Sequence, residues 1–292
     1  MQENNSMNNP YYNSLDGLVL KNPVKAFFNF CKERENIRLL REKGEPFPWT
    51  DDIILRKGRF LNVFREDDRG SKAILNFASE LKDDIPMLIY AVFFARWCNK
   101  QETLDQLSAN MLVEPEKLYK KLKLISSWCN HNAYPVEQVD WKGTKYSRLD
   151  TAVKLFFNIK KDLSEIISNS RGDVIRATTS VNKKLRMQND FPIFMAIMDI
   201  AWFRPDIIFP NSHVPTGIGA VAFLDRLQKY LDLNNHHETC DKMIELQKEY
   251  WPEAKRRFQP IDIEYLSCEC RKYYSYVNGT KLFEGKNLFK AK

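Results

Sequence analysis

Residues 34–71, RENIRLLREKGEPFPWTDDIILRKGRFLNVFREDDRGS, pack cations, carboxylates, an amide and aromatic rings more densely than a helical core requires. Arg34, Arg38 and Arg41 stand at i, i+4 and i+7 and share one helical face, a candidate row of contacts to phosphate. After the stop at Gly44-Glu45-Pro46-Phe47-Pro48, Thr50 or Asp51 can cap a second helix, expected over about 52–67. That helix would gather Arg59, Asn62, Phe64, Arg65, Asp67 and Asp68 within a few turns. Such a set suits a ligand with phosphates, a flat ring and hydrogen-bonding edges, for which a nucleotide is the obvious candidate. Phe47, Trp49, Phe60 and Phe64 are rings on which an extruded base can stack, an interaction worth about 1–3 kcal/mol. The competing account is a surface helix laced by i, i+4 ion pairs, with Phe60 and Phe64 turned into the core.

Asp199 is the second focus, because FPIFMAIMDIAWF leaves it almost no polar face. A carboxylate held there loses hydration, and its pKa rises unless a cation or several donors meet it. That is how a general base or a charge-stabilising acid is tuned; a structural ion pair with Arg96 or Arg204 is the alternative. Further along, Pro215-Thr216-Gly217-Ile218-Gly219-Ala220 precedes an apolar helix, so Gly217 and Gly219 can offer backbone N–H groups to a phosphate or simply make a tight turn. Near the C-terminus, Glu269, Lys272 and Tyr273 stand together with Asp262 and Glu264 among apolar residues. They either lock the last helix to the core or brace Arg65 or Arg96 from behind.

The elements that must hold these groups are helical. Long stretches show i, i+3, i+4 apolar spacing and only 10 glycines interrupt 292 residues, so the fold class is mainly α. Asn22-Pro23 opens a helix that runs to about residue 43. Further helices are expected over about 71–81, 85–99, 102–109, 114–129, 149–168, 172–187, 191–204, 217–231, 237–251 and 261–277. Residues 130–147 break the pattern and support one short hairpin or an extended loop. The expected organisation is a flexible tail over 1–20, draped across the surface, followed by a single compact multi-helix domain over 21–292.

The chain carries 45 Lys+Arg against 38 Asp+Glu, a net charge of +7, which tilts the partner toward nucleic acid without establishing it. The six cysteines form no CxxC pair and only four histidines accompany them, which predicts buried thiols, a reducing cytoplasm and no metal site. No apolar run approaches ~20 residues, so no membrane partner is expected. No G-x-x-x-x-G-K-[ST] phosphate loop occurs.

PWTDD, RFLNVFREDDR, Arg96 with Asn99, FPIFMAIMDIA, TGIGA and DIEYLSCECRKY together resemble the α-glutamyl/putrescinyl thymine pyrophosphorylase-like family, which shares a helical module with 5-hydroxymethyluracil DNA kinases. The likeness spans about residues 21–279. It implies work on hypermodified pyrimidines of phage DNA, some members resembling defence glycosylases that excise glucosylated hydroxymethylcytosine. The family's shared polar positions fall here on Trp49, Asp51, Asn62, Arg65, Asp67, Asp68, Asp199, Glu269, Lys272 and Tyr273.

The resemblance and the residues lead to one principal expectation: a DNA N-glycosylase without cofactor that flips a bulky modified pyrimidine out of double-stranded DNA. Asp199, Asp68 and Asp51 are its candidate catalytic acids. Trp49, Asn62, Arg65, Asp67 and Phe64 would hold base and sugar, supported by Arg96, Glu269, Lys272 and Tyr273. Arg34, Arg38, Arg41, Gly217 and Gly219 would meet phosphate. Two alternatives remain open at this level: a transferase that joins an amine to pyrophosphate-activated hydroxymethyluracil, and a non-catalytic reader of modified DNA.

Overall fold

The computed structural model describes residues 11–131, 138–281 and 288–289. It is mainly α, with 62% helix. Its contacts divide it into two compact units, one made of residues 1–65 with 214–292 and the other of residues 66–213. The domain expected from residue 21 onward is thus a first unit built from the two ends of the chain and a second inserted between them.

The first unit begins with helix α1 (Pro23–Glu42), which starts where the sequence predicts: Asn22 accepts from the Lys25 N–H at 2.8 Å and Pro23 sits at the first helical position. Helix α2 (Ile53–Lys57) is short. The inserted unit contains α3 (Arg69–Ala78), α4 (Ile85–Cys98), α5 (Gln101–Leu104) and α6 (Pro115–Lys123), then strands β1 (Val139–Trp141) and β2 (Thr144–Tyr146). It continues through α7 (Arg148–Asp150), a π-helical turn (Thr151–Leu155), α8 (Phe156–Ser168), α9 (Val174–Leu185) and α10 (Phe191–Phe203). The chain then returns to the first unit with α11 (Val221–Leu231), α12 (His236–Tyr250) and α13 (Pro260–Val277).

In the inserted unit α4 is the centre, packed by α3, α8 and α10. Every residue from Met87 to Cys98 is buried, as an apolar sequence on all faces demands. The hairpin expected within 130–147 forms antiparallel, Val139 opposite Tyr146. Its turn residues Lys142 and Gly143 both adopt positive φ, the type I′ geometry that matches strand twist. Residues 132–137 of that segment lie outside the described residues. In the first unit α13 packs against α1, α11 and α12 over a core of Phe27, Phe28, Phe64, Phe223 and Phe258.

Three expectations need correction. The helix expected over 52–67 ends at Lys57, where Gly58 leaves the helical path and pairs with Leu288. Beyond it, α13 supplies the partners that a helix would have supplied. Glu269 accepts from the Leu61 N–H at 3.0 Å, and the Tyr265 hydroxyl donates to the Asn62 carbonyl at 2.6 Å and to that of Val63. Second, the helices expected over 102–109 and 114–129 shrink to α5 and α6, separated by a 3-10 turn capped by Ser108. Third, the tail expected over 1–20 is anchored in its described part. Leu15 is buried, Arg226 donates to the Leu15 and Leu18 carbonyls, and Asn278 and Thr280 donate to Ser14. Residues 1–10 of that expected tail lie outside the described residues.

Candidate functional site

A cleft of about 660 Å³ opens in the first unit, lined by Asn29, Phe30, Lys32 and Glu33 from α1, by Thr50, Asp51, Asp52 and Leu55, and by Tyr273 and Tyr274 from α13. That volume lies in the range of small-ligand sites. Asp52 builds its floor. One carboxylate oxygen accepts from the Ile54 and Leu55 N–H groups at 2.8 and 2.9 Å, capping α2, while the other accepts from the Tyr273 hydroxyl at 2.6 Å. The Thr50 hydroxyl accepts from the Asp52 N–H at 3.1 Å. Asp51 is held between these two anchored residues, yet its own side chain is exposed. The arrangement therefore presents a fixed, hydrated carboxylate beside an amide, a lysine and two phenols.

Burial pushes the Tyr273 phenol well above its ordinary pKa, with Asp52 adding to the effect, and burial does the same at Tyr274. Both stay neutral hydroxyls across the physiological range. Replacing Tyr273 by phenylalanine removes the donor to Asp52, and the expected outcome is a loss of about 1.5–3 kcal/mol, the worth of a hydrogen bond to a charged group. Denaturant unfolding checks it; an unchanged midpoint would remove Tyr273 from the bracing of the floor.

The sequence-predicted site residues do not all meet here. Asp51 and Tyr273 line the cleft. Trp49, two positions before Asp51, is half-buried and donates its indole N–H to the Glu45 carbonyl at 2.7 Å. Phe64 is core instead of a stacking platform: it is fully buried against Trp251 and Phe258, with Lys255 and Arg256 over its ring. Arg34 is buried and donates to Asn62 Oδ1 at 2.7 Å and to the Phe60 carbonyl at 3.3 Å. Arg38 is clamped by Glu35 and Glu42. Of the predicted phosphate row, Arg41 alone is exposed, because carboxylates at i−3 and i+4 and the 60–62 segment engage its two companions.

Glu269 and Lys272 pair at 2.8 Å, and their target is the Leu61 backbone and the Phe60 ring, not Arg65 or Arg96. Arg65 lies 5.6 Å from the Tyr265 ring centroid. The boundary between the units falls directly after Arg65, so Asp67 and Asp68 belong to the inserted unit. There Asp67 stands 3.7 Å from Lys72 and Asp68 occupies the position before α3.

Asp199 also belongs to the inserted unit, and it is completely buried. Arg96 grips it through Nη2 at 2.6 Å and through Nε, and reaches Ser71 Oγ at 3.4 Å. The cation that the sequence reading named as an alternative partner is therefore present, and the pair joins α4 to α10. A buried bidentate clamp of this kind holds its carboxylate away from water.

The glycine segment is likewise occupied from within. Gly217 donates its N–H to Glu264 Oε1 at 2.8 Å, and the Gly219 carbonyl accepts from Arg271 at 2.8 Å. An acid already sits where an anionic ligand was expected. A Cβ at Gly217 would meet Glu264 Oε1 at 2.9 Å and one at Gly219 would meet Cys268 Sγ at 2.6 Å, so close packing on α13 is what these glycines permit.

Burial raises the Glu264 carboxyl to about 7, although the Gly217 N–H and Arg65 both favour its charged form. A folded-state value above the unfolded carboxylate value means the native protein holds the extra proton between about pH 4.3 and 7. Its contribution is complete below that window and is lost as pH rises through it. Glu264→Gln, neutral at every pH, is expected to flatten the decline in unfolding midpoint between pH 5 and 7.5. An equally steep decline in the variant would assign the pH dependence elsewhere.

Sequence reasoning missed Asn29, Lys32 and Glu33. Their i, i+3, i+4 spacing was visible as a polar stripe on α1, but such stripes are usually solvated. All six cysteines are free, five of them buried, and among the described residues no group of His, Cys, Asp and Glu could hold a metal ion. No helix among them is long and apolar enough to cross a membrane.

The family described as 5-hmdU DNA kinase, helical domain, matches residues 21–280. The chain belongs to that family, which ties it to the enzymology of modified DNA bases and points to DNA as the partner. No curated protein and no solved structure matches the chain.

Proposed function

We propose that this protein is a DNA N-glycosylase that removes a bulky modified pyrimidine, of the glucosylated hydroxymethylcytosine type, from phage DNA and leaves abasic sites as an antiphage defence. The observation that carries the reading is the exposed Asp51 carboxylate, fixed between Thr50 and Asp52 at the edge of a cleft large enough for one base with its adduct.

In this mechanism the target nucleotide leaves the stack and its base enters the cleft. Phe30 and Tyr274 supply apolar wall, and the Asn29 amide offers both a donor and an acceptor to the base edge. Asp51 stabilises the positive charge that develops on the sugar as the N-glycosidic bond breaks, and it takes a proton from the attacking water. The water oxygen bonds to C1′, the base departs with the electron pair of the broken bond, and the proton that Asp51 took passes through solvent to the departed base, which restores the carboxylate. Asp52 does not react; Tyr273 and the α2 cap hold it so that Asp51 keeps its place.

The test is to incubate the protein with phage DNA containing glucosylated hydroxymethylcytosine and to analyse small products by mass spectrometry while probing for abasic sites. Free modified base with matching abasic sites is the expected result; intact DNA with every modified base retained would sink the proposal.

A second reading is favoured by the family description, which concerns hydroxymethyluracil. Here the cleft would seat an activated hydroxymethyluracil while Asp51 deprotonates an amine that displaces pyrophosphate. Release of pyrophosphate instead of free base selects this reading.

A further inference from the structure

Beside the cleft stands a ridge of aromatic rings that the mechanism above does not use. Phe47 is 46% exposed, yet it is part of a three-ring cluster. Its centroid lies 5.3 Å from that of Trp49 and 6.4 Å from that of Phe289, and Trp49 and Phe289 are 5.9 Å apart. The Arg41 guanidinium covers the other two rings, at 5.3 Å from Trp49 and 5.6 Å from Phe289. The Trp49 indole closes the 45–49 loop by donating to Glu45, and the Phe289 N–H donates to the Lys57 carbonyl at 2.8 Å. Single exposed apolar side chains are ordinary. A phenylalanine held up by two further rings, a stacked guanidinium and backbone bonds to α2 is a braced one.

The charge around it is cationic. Arg41, Lys43, Lys57 and Arg59 are exposed, and Arg56 is half-buried. Of the nearby acids, Glu42 is paired with Arg38 and Asp52 is engaged by the α2 cap and Tyr273, leaving Glu45 beside the ridge and Asp51 in the cleft. An apolar ring projecting between cations is complementary to a duplex, whose phosphates flank a stack of flat bases. Asp51 is only four positions beyond Phe47, at most about 14 Å of chain. A ring entering the stack and a cleft receiving the extruded base can therefore serve the same nucleotide.

We propose that Phe47 is a wedge that enters duplex DNA at the base step beside the target and holds the stack open, with Lys57 and Arg59 on the flanking phosphates. This rests on the reading that the cleft takes a base out of DNA, and not on what happens to that base afterwards.

The test uses the full chain and a duplex in which 2-aminopurine neighbours a glucosylated hydroxymethylcytosine, so that unstacking raises its fluorescence. Wild type is expected to raise the signal. Phe47→Ala is expected to reduce the opening equilibrium by about tenfold or more, and Phe47→Leu to retain most of it, since leucine also serves as a wedge. When the target lies opposite an abasic site, extrusion is easier and Phe47→Ala should recover. A paired duplex opened equally by Phe47→Ala and wild type overturns the wedge, as does a wild type that opens nothing or a defect undiminished on the unpaired target. Lys57→Gln with Arg59→Gln should weaken duplex binding and lower its salt slope by about one per cation; an unchanged slope overturns their placement on phosphate. Base release, followed in the same samples, separates the two ideas. Opening that depends on Phe47 without any released base leaves the wedge standing and removes excision. Release with opening indifferent to Phe47 does the reverse.

Discussion

Asp51→Asn is expected to slow base release by about 10²–10⁴-fold, the usual worth of a positioned acid or base, with affinity for the modified duplex unchanged. The substitution keeps size and hydrogen-bonding shape but removes the negative charge that the sugar needs as its bond to the base breaks. It also spares the supports: Thr50, Asp52 and Tyr273 bond to one another without involving the Asp51 side chain. A variant that folds, binds and still releases base at the wild-type rate would move the chemistry out of this cleft. The same measurement on Asp52→Asn separates contact from support, because that change weakens the Tyr273 bond and shifts the position of Asp51 instead of removing its charge.

The largest effect on stability is expected at Arg96. Arg96→Met leaves Asp199 buried and charged with its clamp removed, at a cost of about 3–5 kcal/mol, equivalent to a fall in Tm of about 6–20 °C for a unit of this size. Adding Asp199→Leu removes the stranded charge and should restore most of the loss. The pair of variants also tests the division of labour between the acids. If Asp199 only ties α4 to α10, the doubly substituted protein regains its stability and still releases base. If it regains stability and stays inactive, Asp199 belongs to the chemistry after all. A single Arg96→Met variant as stable as wild type would contradict the ion pair itself.

How far the chain could be read beforehand depended on where each element finds its partners. Helix α1 was legible from Asn22-Pro23, and α4 and α10 from apolar runs that leave no solvated face, because caps and burial patterns are local signals. Residues 58–64 were not legible. Their apolar and basic spacing fits a helix, but Glu269 and Tyr265, about 200 positions away, take up the backbone groups that would have closed it. The site divided in the same way. Asp51 and Tyr273 stood out through motif resemblance, whereas Asn29, Lys32 and Glu33 became a cleft wall only once the 50–55 segment and α13 packed beside α1. Asp199 was rightly singled out as a dehydrated acid, and Arg96 was named among its possible partners; the spacing alone did not say that the two would meet. Arg38 of the arginine row is engaged for a local reason, since Glu35 and Glu42 were in plain view at pairing distance from it.

The floor of the cleft has a consequence for when its geometry is complete. Asp52 and Tyr273 are separated by 221 positions, with the whole inserted unit between them. At about 5–20 residues per second, a ribosome needs roughly 10–45 s to travel from one to the other. Throughout that interval the nascent chain carries Asp51 but lacks the helix that fixes its neighbour. The acid at the cleft edge therefore gains the support of its neighbour only after the inserted unit and α13 have both been made.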